Sequence, residues 1–307
     1  MVIINEIKTA KQIPKDEFMT GGHFACAGCM PALSIKLTLK ALGKNTIIIN
    51  PSGCMTLTTT YPFTPYKVPW ILNAIENAAS TASGIIHGLK AIKKDKKVNV
   101  VCHAGDGATY DLGIGALSGI VQRKENIIYI CYNNSSFANT GFQHSSATPY
   151  GARTTTTPPG VKNPVGNLLP RKNMAKVMAA HGAPYVATAC TSYPFDFMNK
   201  LRKAAKIKGT KFIDILCPCV LGWKLHPSKG VEVGRLMVQT GIWPLYEIED
   251  GKFKLNLIPN LKPVQKAFEL QGRFKHLRKK DIKKIQGIVN KEWKLLKQGK
   301  YWETFEY

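Results

Sequence analysis

Acidic side chains are scarce in this sequence: 19 Asp and Glu stand against 43 Lys and Arg in 307 residues, a formal net charge of +24. An excess of that size raises the question of polyanionic partners. The basic residues are spread along the chain, however, thickest over 90–97, 200–211 and 275–300. No zinc-finger, RRM or basic-zipper pattern accompanies them. Nucleic acid is therefore not the expected partner; a lysine-rich solvated surface is, or one that faces acidic partner proteins. Also missing is any apolar run long enough to cross a bilayer. The opening MVIINEIKTAKQIPKDEF lacks the basic, apolar and small-residue order of a secretion signal. The expectation is a cytoplasmic chain with no membrane partner. In that compartment eight cysteines predict metal or redox chemistry rather than a disulfide framework. No internal repeat or low-complexity segment stands out.

What is present is a chain 44% hydrophobic, enough to bury a large core as one α/β domain or two closely joined ones. Its centre is the stretch 98–140, VNVVCHAGDGATYDLGIGALSGIVQRKENIIYICYNNSSFANT. A β-branched run over 98–102 leads into Gly105-Asp106-Gly107, a small-residue helix is predicted over 110–122, and a second apolar run over 127–132 ends on Asn133-Asn134. Strand, glycine turn, helix and strand form one βαβ unit with both polar corners at strand C-termini. That is the edge where open α/β sheets bind ligands. The glycines allow the backbone close to a diphosphate. Asp106 and Asn134 offer the hard oxygens that suit Mg²⁺. Gly-Asp-Gly followed about 25 residues later by Asn resembles the diphosphate-binding signature of thiamine diphosphate enzymes.

Around this unit, residues 1–20 read as a loosely packed arm, 21–222 as the main domain and 223–307 as an extension packed on it or on partners. Helices are predicted over 31–41, 70–89, 173–181, 194–206 and 231–240, with a basic C-terminal helix from 280. Strands are predicted over 46–50, 185–189 and 211–216, with a hairpin of 244–249 and 253–257 across Asp250-Gly251. The segment 135–164, rich in Ser, Thr, Gly and Pro, is a long loop of the kind that is usually functional.

Three times, cysteines fall where a strand ends or a helix begins: Cys26 and Cys29, Cys54, and Cys217 and Cys219. In a doubly wound sheet such corners converge on one edge, so four thiolates there could hold a [4Fe–4S] cluster or a structural zinc ion. Spacing alone does not choose between these. The neighbouring cofactor motif favours the cluster, because a redox centre beside an electron-rich thiamine adduct has a role and zinc has none. Cys102, Cys131 and Cys190 lie in apolar or small-residue runs and read as buried small hydrophobes.

Taken together, CAGC (26–29), the SGC around Cys54, YPFTPYKVPWILNAIENAA (61–79), GDG (105–107), ICYNNSSFANTGFQHSSATPYGARTTTTPPG (130–160) and CPCVLGW (217–223) resemble the β subunit of 2-oxoacid:ferredoxin oxidoreductases. The pyruvate branch is the nearest in text, and the likeness runs from Gly21 to the C-terminal helix. The resemblance implies a thiamine diphosphate-binding, mostly parallel doubly wound sheet with helices on both faces and a C-terminal extension. It implies cluster ligands at Cys26, Cys29, Cys54 and Cys219, with Cys217 as a neighbour. Mg²⁺ ligands are implied at Asp106, Asn134 and the Ser136 carbonyl. Thiamine diphosphate contacts are implied at Cys54, Gly105, Asp106, Gly107, Ala108, Asn134, Ser136 and Asn139. Asn139 is either a catalytic amide near the reacting carbons or an asparagine satisfying its own loop. Asn133-Asn134-Ser135-Ser136 replaces the family's usual Asp-Asn-Glu, and Met30 its usual glycine, which bears on which 2-oxoacid is used. The implied activity is CoA-dependent oxidative decarboxylation of a 2-oxoacid, reversible, with ferredoxin reduced. A pyrimidine-domain subunit and a ferredoxin-like subunit are the implied partners. The glutamate that activates thiamine is placed on the former, in preference to Glu76 in this chain.

Overall fold

The computed structural model describes residues 6–299. Its centre is one eight-stranded sheet. In chain order the strands are β1 (Thr46–Pro51), β2 (Trp70–Asn73), β3 (Asn99–Gly105), β4 (Ile128–Asn133), β5 (Tyr185–Cys190), β6 (Lys211–Leu216), β7 (Tyr246–Glu249) and β8 (Lys252–Leu255), and their spatial order is β2-β1-β3-β4-β6-β5-β7-β8. The first six run parallel, while β7 and β8 join antiparallel at one edge. The segment beyond 222 thus adds two strands to the main sheet.

Both faces are covered, so the strands are near-continuous apolar runs. Along β4, Ile128, Ile130 and Tyr132 point to one core and Tyr129 and Cys131 to the other. The first core is roofed by α1 (Met30–Leu42) and α5 (Pro194–Ala204), through Ile35, Leu39, Phe197 and Leu201. The second is roofed by α2 (Ala78–Ala91), α3 (Ile114–Gln122), α4 (Met174–Ala180), α6 (Gly230–Gln239), the single turn α7 (Gln265–Phe268) and α8 (Lys279–Lys297). Pro31 sits in the first turn of α1, where its missing N–H costs nothing, and Gly43 closes that helix. Cys102, Cys131 and Cys190 are fully buried among apolar neighbours, as small hydrophobes.

Four local expectations need correction. The segment expected to be a single helix over 70–89 begins with strand β2, because Trp70 to Asn73 pair with Ile48 to Pro51; the helix starts only at Ala78. Tertiary pairing there overrides a small-residue pattern that reads as helical. The helix expected over 110–122 is instead a wide π-turn, Gly107–Leu112, followed by α3. The described part of the arm is pinned rather than loose: Ile7 is buried, its N–H donates to Asn199 Oδ1 at 2.9 Å, and Met19 bridges to Tyr66. Finally, the basic run 200–211 is not wholly solvated. Lys200 is buried and donates to Asp196 Oδ2 at 2.8 Å, and Lys211 is buried within β6.

Candidate active site

Register brings the predicted corners together. Gly105 at the end of β3 pairs with Tyr132 of β4, and Asn133 of β4 pairs with Leu216 of β6. The turns after β1, β3, β4 and β6 therefore open on one edge, and they carry Cys54, Asp106, Asn134 and Cys219.

At the first corner Asp106 is almost wholly buried. Its Oδ1 accepts the Asn134 N–H at 3.2 Å and its Oδ2 accepts the Ser145 hydroxyl at 2.5 Å. Burial pushes its carboxyl up to about 7, against the hydrogen bonds from Ser145 and Asn134 that favour the anion. One end of the Asn134 side-chain amide stands 3.0 Å from Asp106 Oδ1 and 2.8 Å from the Ser136 carbonyl oxygen. With its Nδ2 inward the amide donates to both neighbours; with its Oδ1 inward it sets a third oxygen beside theirs. Neighbouring ligands in a Mg²⁺ octahedron at 2.0–2.1 Å lie about 2.9 Å apart, close to these two separations.

The loop that presents these oxygens is clamped from below and behind. Asn133 Nδ2 donates to Tyr110 Oη at 3.0 Å and to Asp214 Oδ1 at 3.2 Å, while its Oδ1 accepts the Ser135 N–H at 3.1 Å. Tyr110 also donates to Asp214. The Trp223 indole N–H donates to the Asn134 carbonyl at 2.7 Å. Gly107 has no room for a side chain, since a Cβ there would lie 2.3 Å from the Phe137 ring.

The second corner gathers cysteines. Cys26 and Cys29 stand at the head of α1, where the Cys29 N–H donates to the Cys26 carbonyl at 3.0 Å. Burial, with a smaller contribution from charge at Cys26 and Cys219, pushes the Cys29 thiol up to about 12. Burial also raises Cys54, which is in the field of Cys219, Cys29, Asp106 and Cys26. Cys219, likewise raised by burial, is eased by the backbone N–H groups of Gly222 and Leu221, and the Gly222 N–H lies 3.3 Å from its Sγ. These four thiols share one electrostatic neighbourhood. Cys217 stands behind them, fully buried beside Ser34. Among the described residues no three His, Cys, Asp or Glu side chains converge as a single metal ion requires.

Between the corners lies a cleft of about 100 Å³, lined by Cys54, Gly105, Gly107, Ala108, Asn134 and Ser136, with Asn139 and Thr140 exposed at its mouth. Ile75, not Glu76, lines it, and Glu76 faces solvent. Sequence reasoning missed Ser145, Tyr110 and Asp214 and gave Trp223 no role. The legible signal was Asp214, a carboxylate inside the apolar strand KFIDIL; Ser145 and Tyr110 carried none.

Comparison with known proteins shows the family and the fold. A family model described as "Thiamine pyrophosphate enzyme, C-terminal TPP binding domain" matches residues 51–215. The chain is 50% identical to "Pyruvate synthase subunit PorB" of Methanocaldococcus jannaschii, over 93% of this chain and 98% of that one. It is 41% identical to "Ketoisovalerate oxidoreductase subunit VorB" of Pyrococcus horikoshii, over 97% and 98% of the two chains. A solved structure of 2-oxoglutarate:ferredoxin oxidoreductase from Magnetococcus marinus has the same fold, with a TM-score of 0.56 and 19% identity over 74% of this chain and 82% of that one. With its own Gly-Asp-Gly corner inside the matched region, this chain belongs to the thiamine diphosphate-binding subunits of the 2-oxoacid:ferredoxin oxidoreductase family, the pyruvate synthase B subunits among them.

Proposed function

We propose that this subunit binds Mg²⁺–thiamine diphosphate and a [4Fe–4S] cluster on either side of one cleft, for CoA-dependent conversion of pyruvate to acetyl-CoA and CO₂ with reduction of two ferredoxins. The observation that carries the reading is that cleft, with the Asp106 carboxyl, the Asn134 amide and the Ser136 carbonyl gathered at one wall and Cys54 in the other. Asp106, Asn134 Oδ1 and the Ser136 carbonyl would hold the metal; Gly105, Gly107 and Ala108 would admit the diphosphate; Cys26, Cys29, Cys54 and Cys219 would hold the cluster. Four thiols beside a thiamine diphosphate corner suit a redox cluster better than zinc, because the cluster can take electrons from the cofactor and zinc cannot. When bound, thiamine diphosphate supplies the electron sink for loss of CO₂, and the cluster an acceptor of single electrons. The chain's own residues hold the metal loop through Trp223 and Asn133, approach the cofactor through glycines, and offer the Asn139 amide at the mouth. That amide would hydrogen-bond the reacting group.

The cleft is far smaller than the about 300–1,000 Å³ of a pocket that encloses a whole ligand. A partner subunit would complete it, bringing the pyrimidine-binding wall and the activating glutamate. Exposed Phe24, Leu57, Tyr61, Phe63, Ile71 and Leu72 give that partner an apolar surface on the cysteine side of the sheet edge. A ferredoxin-like subunit would carry electrons onward. The assembly would work in the cytoplasm; among the described residues no helix is long and apolar enough to cross a membrane.

Two measurements check this reading. Assayed across 2-oxoacids, the purified complex should show its highest kcat/KM with pyruvate. A higher value with a branched-chain 2-oxoacid would keep the cofactors and change the substrate. Trp223→Phe keeps the ring but removes the donor to the Asn134 carbonyl, and should weaken Mg²⁺–thiamine diphosphate binding by about 10- to 100-fold in calorimetric titration. Unchanged affinity would mean that the indole N–H does not position the metal loop.

A further inference from the structure

Arg273 is a buried cation without an ion-pair partner. Its side chain is 2% exposed, its Nε donates to Gln271 Oε1 at 3.0 Å, and its Nη2 meets no hydrogen-bond acceptor. No carboxylate among the described residues pairs with it. Gln271 is itself committed, donating to the Ala267 carbonyl at 2.6 Å. Burying a guanidinium without a carboxylate partner is costly, and ring contacts with Trp223 and Phe274 offset only part of that penalty.

Its position suggests what does. The guanidinium carbon stacks 3.6 Å from the Trp223 ring centre. Trp223 is tied by backbone hydrogen bonds to Cys219 on one side and to Arg273 on the other: its N–H donates to the Cys219 carbonyl at 2.9 Å, and its carbonyl accepts the Arg273 N–H at 3.4 Å. The other edge of the indole is spent on the Asn134 carbonyl, so the ring stands between the guanidinium and the metal loop. Burial pushes Arg273 down to about 9, and negative charge at Cys219, then at Asp106, holds it up; at neutral pH it is a cation.

We infer that Arg273 is the buried counter-charge of the cysteine corner, a positioning residue that sets the reduction potential of the cluster held by Cys26, Cys29, Cys54 and Cys219. The inference rests on the cluster reading above. Reduction adds one negative charge to a site already bearing four thiolates, and a fixed cation in a low-dielectric surrounding favours the reduced form. Arg273 therefore raises the potential, easing entry of the first electron without touching substrate.

The test is an anaerobic potentiometric titration of the purified complex, followed by EPR, in wild type, Arg273→Gln and Arg273→Lys. The signal of this chain's cluster is the one absent from Cys54→Ala. Arg273→Gln should move the one-electron equilibrium at least tenfold toward the oxidised form, about 59 mV lower, with iron content unchanged. Arg273→Lys, which keeps the charge, should stay near wild type; Arg273→Met, neutral and of similar length, should show the same lowering as Gln and takes its place if the Gln variant fails to assemble. A Gln variant that titrates with wild type, or a Lys variant as low as Gln, overturns the inference. So does a Gln variant whose only defect is weaker Mg²⁺–thiamine diphosphate binding, which would assign the charge to the metal corner. A wild-type complex with no Cys54-dependent signal sinks the cluster reading and this inference together.

Discussion

Asp106→Asn binds thiamine diphosphate with Mg²⁺ at least about a hundredfold more weakly than wild type, roughly 3 kcal/mol, while the ligand-free chain is no less stable. The two effects have opposite signs because the carboxylate is placed for the metal and against the fold. Buried and nearly inaccessible, Asp106 is pushed from 3.8 up to about 7 by desolvation. A carboxyl whose folded pKa lies above its unfolded one makes the folded state bind more protons between those values. Stability of the ligand-free chain therefore falls as pH rises from about 4 to about 7 and levels off above. Asparagine removes that penalty and keeps an oxygen for the Asn134 N–H, yet loses the charge beside the Asn134 amide. Calorimetric titration at pH 8 reads the first effect and denaturant unfolding across pH 4–8 the second. Wild-type affinity in the variant would remove Asp106 from the metal site. A loss of stability at pH 8 would make its role structural.

Cys54→Ala is the second large effect. Cys54 both lines the cleft and lies in the field of Cys26, Cys29 and Cys219, so it is the thiol at which the two halves of the site meet. The variant should be purified with about four fewer iron atoms per copy of this chain. Its 2-oxoacid-dependent reduction of ferredoxin should fall to a few per cent of wild type or below, with thiamine diphosphate binding retained. The fold should survive, because the thiol is only partly buried in a short helical turn and deleting one small group costs on the order of 1 kcal/mol. Iron and sulfide analysis, with circular dichroism as the control, reads the outcome. Full iron content in Cys54→Ala would move the ligand set elsewhere. The corresponding change at Cys217 should leave iron intact, since that thiol faces Ser34 from behind the corner.

Much of this site was legible in the sequence, because its parts sit at strand ends and strand ends can be read from apolar runs. The corner at Gly105-Asp106-Gly107 and the one at Asn134 were visible as interruptions of β-branched segments, and the topology of a parallel sheet brings such interruptions to one edge. The cysteines followed by the same argument. What escaped was whatever depends on a partner distant in sequence. Trp70 to Asn73 became a strand because β1 offered an unpaired edge, which no local pattern announces. Ser145 reaches Asp106 across 39 residues, and Trp223 reaches Asn134 across 89. Tyr110 and Asp214, 104 residues apart, support Asn133 from within the core. Arg273 escaped for a different reason: in a chain with 43 basic residues, one buried cation is indistinguishable from the solvated ones until its surroundings are known.

The most direct test of the account is an anaerobic EPR spectrum of the complex purified with its partner subunits, before and after pyruvate and CoA. The account predicts a reduced [4Fe–4S] signal that appears with both substrates and is missing in Cys54→Ala. A complex that contains no iron, or whose cluster is reduced by dithionite but by no 2-oxoacid, would contradict it.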